Sequence, residues 1–473
     1  MKKSKKLIAA IFGIFLGLAL SGCQNPFLQL GKEAVASPGS SPSEHALGSV
    51  YMVSFVSNGG TTVQAVTVPP GEKINAPFAA REYFDLAGWY KEPGLSNEWN
   101  FASDTVNSNT TLYAKWEFDE GQQGNGSAGS PFLVYNVATL SRVGREPTGL
   151  AAWDLAKYYL QIEDIELDSE ENWIPIGSPA NRFTGTYNGG GRTITNLRCT
   201  YPDTGYDCIG LFSFLGDGSV VKNVGLVDAE VRGRYSVGGI AGRNYQSTIQ
   251  NCFFKGSVTG VNRIGGITGE NFNEETGGLF SCYTIGNIIG TGYGIGGVVG
   301  ENSGTIMNCY SVGPLVQGEY RVGGVAGYNG MEVMNCYSTS IVNGSQCVGG
   351  ITGESVAACR GDINLVALNP SIESIIGDIG RLEGFLHNTA VASNNYAWSG
   401  ILVDNNIVTG SATDKNGKDI SLTDYNNEEW WTNGADWSTS KAYWNYAEEW
   451  DFKKVWEWDA VKKLPVLRNV GGQ

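Results

Sequence analysis

Val237-Gly-Gly-Ile-Ala-Gly242, Ile264-Gly-Gly-Ile-Thr-Gly269, Ile295-Gly-Gly-Val-Val-Gly300, Val322-Gly-Gly-Val-Ala-Gly327 and Val348-Gly-Gly-Ile-Thr-Gly353 are five versions of one phrase. Their first glycines (238, 265, 296, 323, 349) stand 27, 31, 27 and 26 residues apart. Self-similarity at that period marks units that bury a core only by stacking on one another.

A second phrase alternates with the first: Ile249-x-Asn251-Cys252, Leu279-x-Ser281-Cys282, Ile306-x-Asn308-Cys309 and Val333-x-Asn335-Cys336, with Val221-x-Asn223-Val224 as a weaker copy upstream. The unit is too short for a strand–helix–strand crossover with its loops. β-branched residues and glycine abound, and there is no amphipathic helical window. Each unit therefore reads as one coil of two or three short strands. Apolar residues three apart, such as Ile249 and Cys252, break strict alternation. A bend after Asn251 turns both inward, and Asn suits it by tolerating left-handed geometry. Stacked on its equivalents, the Asn amide forms a ladder. The fold class is all-β: a right-handed parallel β-helix or solenoid with coils about 4.8 Å apart. Asn251, Cys252, Cys282, Asn308, Cys309, Asn335 and Cys336 are its structural ladder, which Cys359 would extend.

The Gly-Gly-Ile-x-Gly-x-Asn and Asn-Cys-Tyr phrases resemble the GLUG motif of bacterial surface proteins and some large secreted peptidases. Trp173-Ile-Pro-Ile-Gly177, Phe183 to Gly191 and Ile194-Thr-Asn-Leu197 are similar to that family's lead-in. Ala367-Leu-Asn-Pro370, Asn394-Asn-Tyr-Ala397 and Leu464-Pro-Val-Leu467 are similar to its closing segment. The resemblance spans roughly residues 130–470. It implies a β-helix-like fold and an extracytoplasmic location, and no single activity.

The chain opens with Met1-Lys-Lys-Ser-Lys-Lys6, then 14 apolar residues from Leu7 to Leu20, then Leu20-Ser-Gly-Cys23. The apolar run is short for a permanent span. The layout matches the lipobox of bacterial lipoproteins, which implies a signal peptide over 1–22 and lipidation of Cys23. Gln24, rather than Asp, resembles an outer-membrane sorting signal. Residues 23–49, with Pro38-Gly-Ser-Ser-Pro42, form a flexible tether. Cleavage would remove four lysines and move the net charge from −15 to −19. Such a balance argues against nucleic acid and against unaided binding to anionic lipid.

Residues 50–118 form a small domain. Tyr51-Met-Val-Ser-Phe55 and Thr62 to Val68 alternate around a turn at Asn58-Gly-Gly60, which predicts a hairpin. Val53-x-Phe55, Ala87-Gly-Trp-Tyr90, Trp99-x-Phe101 and Thr111-Leu-Tyr-Ala-Lys-Trp116 resemble the Listeria–Bacteroides (internalin B-type) repeat, with Tyr83 to Leu86 departing from its usual Gly-Tyr-x-Phe. The resemblance implies a β-grasp-like spacer or adhesive module. Trp89, Trp99 and Trp116 read as its core or as a sugar platform. Residues 119–130 read as a linker, 131–208 as the solenoid's N-terminal cap and first coils, 209–365 as the GLUG coils, and 366–473 as the solenoid end with a Trp-rich cap.

Eight of the 13 tryptophans lie between Trp398 and Trp458; they read as rings sealing the last coil or as a carbohydrate-binding face. Cys199 and Cys208 flank a turn at Pro202-Asp-Thr-Gly205 and are the candidate disulfide. Arg360-Gly361-Asp362 is the tripeptide that integrins read, and these three are candidate binding residues. The acidic run Asp164 to Glu171 reads as a solvated turn, since Ser169 and Pro175 stand where an EF-type loop needs Gly and Glu.

The chain has two histidines, no His-Glu-x-x-His and no Gly-x-Ser-x-Gly. No Cys/His spacing supports zinc, and no catalytic, metal or cofactor site is assigned. Arg234, Arg263 and Arg321 just before the Gly-Gly phrases, and Glu270, Glu301 and Glu354 just after them, read as ion-paired columns on a solvent face. The reading is a lipid-anchored, extracytoplasmic, non-enzymatic protein of the bacterial envelope, an adhesin or scaffold for host or neighbour-cell glycan or protein. The alternatives are a β-helix polysaccharide lyase or glycosidase, and a structural envelope protein without external ligand.

Overall fold

A computed structural model describes residues 49–146, 152–202, 207–273, 277–356, 361–434 and 450–473. The chain divides into two compact units, before and after Phe118.

In the first unit, strands Tyr51–Val56, Val66–Val68, Phe84–Tyr90 and Thr110–Phe118 make one sheet. Tyr51–Val56 lies parallel to Thr110–Phe118, and the outer strands are antiparallel to their neighbours. The hairpin exists, but its second strand is only Val66–Val68. Thr61 is drawn off instead to Ala80, donating its N–H to the Ala80 carbonyl at 2.8 Å. Asn58 and Gly59 take positive φ at the turn. Trp89 and Trp99 are buried with Val53, Val106 and Leu112, and Trp116 packs against them. The three rings are the core of a domain too small to spare them.

The second unit is a parallel β-solenoid. Each full coil has four strands, more than the sequence suggests: in one coil Tyr235–Gly238, Ala241–Tyr245, Thr248–Gln250 and Phe253–Gly260. The extra corner lies within the first phrase, at Gly239-Ile240, where the chain turns between two strands. A second corner is the left-handed bend before Cys. Asn223, Asn251, Ser281, Asn308, Asn335, Asn364 and Asn394 have φ between 51° and 57°. Inward columns run in register: Val237, Ile264, Ile295, Val322, Val348 and Ile379. Of the four extra residues in the 31-residue step, three fall between Phe272 and Gly278 and one between Gly290 and Ile295, so the strands on either side stay paired.

The second glycine of each phrase carries the coil above it. A Cβ at Gly239, Gly266, Gly297, Gly324 or Gly350 would stand closer than 3.0 Å to the next coil's carbonyl oxygen. Arg381 occupies this position in the last copy, Ile379-Gly-Arg-Leu-Glu-Gly384, and there the regular four-strand winding ends.

At the N-terminal end, Phe132–Val134 pairs with Tyr158–Gln161, and Phe132 stacks on Trp153 at 4.7 Å. Helix Val137–Arg142 is closed by a reciprocal cap between Asn136 and Thr139. Trp437 and Trp444 lie outside the described residues, and the other tail tryptophans are placed elsewhere than over the last coil. Trp430, Trp431, Trp450 and Trp456 are buried against the solenoid's flank, over the column Phe253, Tyr283, Tyr310 and Tyr337. Neighbouring rings of that column stack at 4.8 to 5.1 Å with planes within 8°. The phenols of Tyr283 and Tyr337 donate to the carbonyls of Gly471 and Pro465, and Tyr310 bonds Gln473. The tail is a lateral strap because this flank is a continuous aromatic strip, and a strip is what bulky rings bury best.

Candidate functional site

The long outward face is built by the strand after each Gly-Gly corner. Alternation turns alternate residues of each such strand outward, and register aligns one file of them as Arg243, Glu270, Glu301, Tyr328, Glu354 and Phe385. A second file comes from the left-handed residue before each phrase, including Ser236, Arg263, Arg321 and Cys347. The two files interlock. Arg263 bridges coils, with Nη1 3.3 Å from Glu270 and Nε 2.6 Å from Glu301. Arg243 lies 3.2 Å from Glu270, and the Ser236 hydroxyl also donates to it.

At the far end Glu354 accepts from Arg321 Nε at 2.5 Å and from the Tyr320 hydroxyl at 3.1 Å, and lies 3.1 Å from His387 Nε2. Burial pushes its carboxyl up, and the hydrogen bonds from Arg321 and His387 outweigh that, so it is held below its ordinary range. Arg321 also lies over the rings of Tyr320 and Tyr328. Among the described residues Arg234 joins no carboxylate, and it lies over Tyr235. The face is thus a ladder of guanidinium, carboxylate and phenol groups at one-coil intervals, in which the arginines, Glu301 and Tyr328 are part-exposed and Glu270 and Glu354 are buried beneath their partners, with the charges largely paired.

Two further ladders are internal. At the bend, Asn251 donates to Asn223 at 3.1 Å, Asn335 to Asn308 at 3.3 Å and Asn364 to Asn335 at 2.9 Å; Ser281 interrupts the file. Cys252, Cys282, Cys309 and Cys336 stand in one buried file of free thiols. Cys282 and Cys309 each donate a backbone N–H to the next sulfur at 3.4 Å. Leu365 takes the following place in the file, and Cys359 lies outside the described residues.

Several sequence-derived sites fall differently. Cys199 and Cys208 are free, and no bond joins them. Cys199 is turned into the core toward the Gly210 carbonyl, whereas Cys208 stands beside Ser236, Glu270 and Arg243. The integrin reading fails for a related reason. Arg360 lies outside the described residues, but Gly361–Ile363 is a buried strand, and Asp362 points into the solenoid with no exposed surface to offer. Cys23 also lies outside the described residues. Asp164 accepts from Thr193, and Glu166 from Asn196, as a surface turn does. Among the described residues no group of three or more His, Cys, Asp or Glu is placed to hold a metal ion, and no helix is long and apolar enough to cross a membrane. Of the described tryptophans of the tail, Trp430, Trp431, Trp450 and Trp456 are buried and offer no open sugar platform, and Trp458 is only part-buried.

Sequence reasoning missed three features. The buried amides of Asn244, Asn271, Asn302 and Asn329 form another ladder, visible as the Asn two places after each of the first four phrases. His387 is brought to Glu354 only by the fold. Asp362 and Glu383 are carboxylates at inward positions; the signal was an acid where the other copies carry Val333 and Thr352.

Comparison with known proteins shows a Listeria–Bacteroides repeat domain over residues 51–115 and the GLUG motif over residues 233–259. A Gly-rich membrane protein, provisionally so named, from Evansella cellulosilytica is 43% identical over 70 residues, which is 15% of this chain and 8% of that one. A second membrane protein of that organism is 42% identical over 72 residues, 15% of this chain and 11% of its own. Halomucin from Haloquadratum walsbyi is 32% identical over 151 residues, 30% of this chain and 2% of halomucin. The chain therefore corresponds to only a small part of each relative's length. A crystal structure of a provisionally named immunoglobulin A1 protease from Bacteroides ovatus superposes with a TM-score of 0.47 at 19% identity, over 73% of this chain and 94% of that one.

Proposed function

We propose that this β-solenoid repeat scaffold is a lipid-anchored, non-enzymatic protein of the cell surface that binds a glycan or protein of a neighbouring or host cell along its ladder face. The observation that carries the reading is the register of Arg243, Glu270, Glu301, Tyr328 and Glu354, a rigid outward row repeating at the coil spacing. An extended polymer meets such a row at several points at once, so weak single contacts add up. Each Glu of the row is held by an arginine, which suits recognition better than proton transfer. The lipobox at Leu20 to Cys23 and the two surface-protein repeats support an anchored, extracytoplasmic address.

The test is a glycan and matrix-protein array probed with the full chain and with an Arg263→Ala, Arg321→Ala double variant. The reading expects a micromolar ligand whose binding weakens at least tenfold in the variant, compared at a temperature where circular dichroism shows both proteins folded, since removing the arginines also costs stability at the buried Glu270 and Glu354. An array with no ligand would favour a purely structural envelope role. New reducing ends or unsaturated sugars on incubation with polysaccharides would replace the reading with a lyase or glycosidase. For the anchor, Cys23→Ala is expected to release the chain from the membrane fraction, and retention there would reject lipidation.

A further inference from the structure

Two inward columns of the solenoid change character near its C-terminal end. One runs Val221, Ile249, Leu279, Ile306, Val333 and then Asp362. The other runs Ala241, Thr268, Val299, Ala326, Thr352 and then Glu383. Small or apolar positions have thus become carboxyls on adjoining strands of the winding, and both are 0% exposed. An ionised carboxylate in such a place is costly unless it is paired.

The surroundings supply little pairing. Asn329, last member of its amide ladder, donates to Asp362 Oδ1 at 2.8 Å. Asp362 Oδ2 and both Glu383 carboxyl oxygens receive no hydrogen bond from the described residues, yet the two side chains meet each other. From the strand Thr352–Ser355, Ser355 adds a hydroxyl beside Asp362, while Glu354 points outward to Arg321 and His387. Asn395 bonds only the Asp362 main-chain carbonyl. From the segment over the last corner, Asp414 brings a third like charge. Arg381, two residues before Glu383, donates from Nη2 to the Gly417 carbonyl at 2.8 Å and to Asp419 at 2.5 Å, and its Nε and Nη1 reach no acceptor among the described residues, the two acids included. Two facing acceptors without a donor are what a single proton between them would satisfy.

We propose that Asp362 and Glu383 share a proton inside the solenoid, making the last coils an acid-stabilised lock that loosens when the proton is lost. Burial is the first cause, pushing Asp362 up to about 7 and Glu383 well above its ordinary range; the neighbouring charges of Asp362 and Asp414 push Glu383 further. Both acids are raised on folding, so the folded chain holds protons that the unfolded chain has already released. The lock is therefore fully present at pH below the ordinary carboxyl range, weakens as pH rises through about 7, where Asp362 releases its proton, and is lost when the proton held with Glu383 leaves above that.

The experiment uses the full chain, its Glu383→Gln and Asp362→Asn variants, and Asp362→Val, which restores the residue type of Val333. The Tm of wild type relative to Glu383→Gln is expected to fall by about 2–4 °C per pH unit between pH 5 and 7. Hydrogen exchange, corrected for intrinsic pH dependence, should quicken with pH in Glu383–Leu386 and not in Val299–Ser303. At pH 6 the infrared spectrum should contain a protonated-carboxyl band that Glu383→Gln removes, and Asp362→Val should gain Tm at pH 8 over wild type. Parallel pH curves for wild type and Glu383→Gln, or no such band, would overturn the proposal. Recovery of the wild-type Tm at pH 8 by calcium alone would also overturn it, by making the pair a cation site.

Discussion

Asn271 donates its side-chain amide to Asn302 Oδ1 at 2.7 Å across two stacked coils, and both residues are buried. Asn302 passes the bond on to Asn329 at 2.8 Å and also donates to the Gly304 carbonyl. The ladder joins three coils through groups that have no water to fall back on. Asn302→Ala should therefore cost about 2–3 kcal/mol, since it leaves the Asn271 donor and the Asn329 acceptor each one partner short. Denaturant unfolding of the full chain checks this, and a loss below about 0.5 kcal/mol would mean the ladder is incidental.

The glycine at the Gly-Gly corner is required by the coil above it. Gly297→Ala would place Cβ against the Gly324 carbonyl and the Ser311 side chain. Backbone cannot step aside there without breaking pairing on both sides, so a loss of about 3 kcal/mol or more is expected. Gly129→Ala meets nothing within 4 Å and serves as the control, with a change under about 1 kcal/mol. Thermal unfolding of the two variants side by side is the check.

The thiol file should be chemically silent in the folded protein. Burial raises the Cys252, Cys282 and Cys309 thiols well above their ordinary value, which leaves almost no thiolate and no path to it. Site-resolved alkylation is expected to miss these three at pH 8 and to label all of them in denaturant. Cys309→Val, close in size, should keep the fold, because the sulfur acts there as a small hydrophobe.

Glu354 gives the outer face an acid limit. Its carboxyl is lowered on folding, so its share of stability is present above the ordinary value of 4.5 and is lost as pH falls below it. Glu354→Gln should flatten the Tm-against-pH curve on the acid side and leave the alkaline side unchanged. That direction is opposite to the one expected for Asp362 and Glu383, so one pH series separates the two sites.

Most of the winding was legible because stacking repeats its demands. Every coil needs a left-handed residue before Cys252 or its equivalents, and every coil needs a glycine where the next carbonyl sits. Such requirements surface as periodic Asn and Gly in the sequence. The Arg263–Glu270–Glu301 connection was legible as a face but not as a bridge, because the guanidinium reaches up one coil as well as across its own. What was not legible lies where the period fails. Asp362 looked like part of an exposed tripeptide because its place in the column depends on a register that a degenerate copy hides. The tryptophan strap was legible as a sealing element, but its position depends on the Phe253 to Tyr337 strip, a relationship between residues more than a hundred apart in the chain. His387 has no local signal at all.

The whole account rests on parallel coils stacked in register, and spin labels on the outside of the solenoid measure that directly. Arg232, Thr259, Ile289, Gln317, Asn343 and Glu373 form one outward column, one residue per coil. Labels at Arg232 and Gln317 should be about 14 Å apart, and labels at Arg232 and Glu373 about 24 Å apart, a difference of two coil spacings. Distances that fail to grow by about 10 Å between the two pairs, or that scatter broadly beyond 40 Å, would contradict the solenoid and every site placed on it.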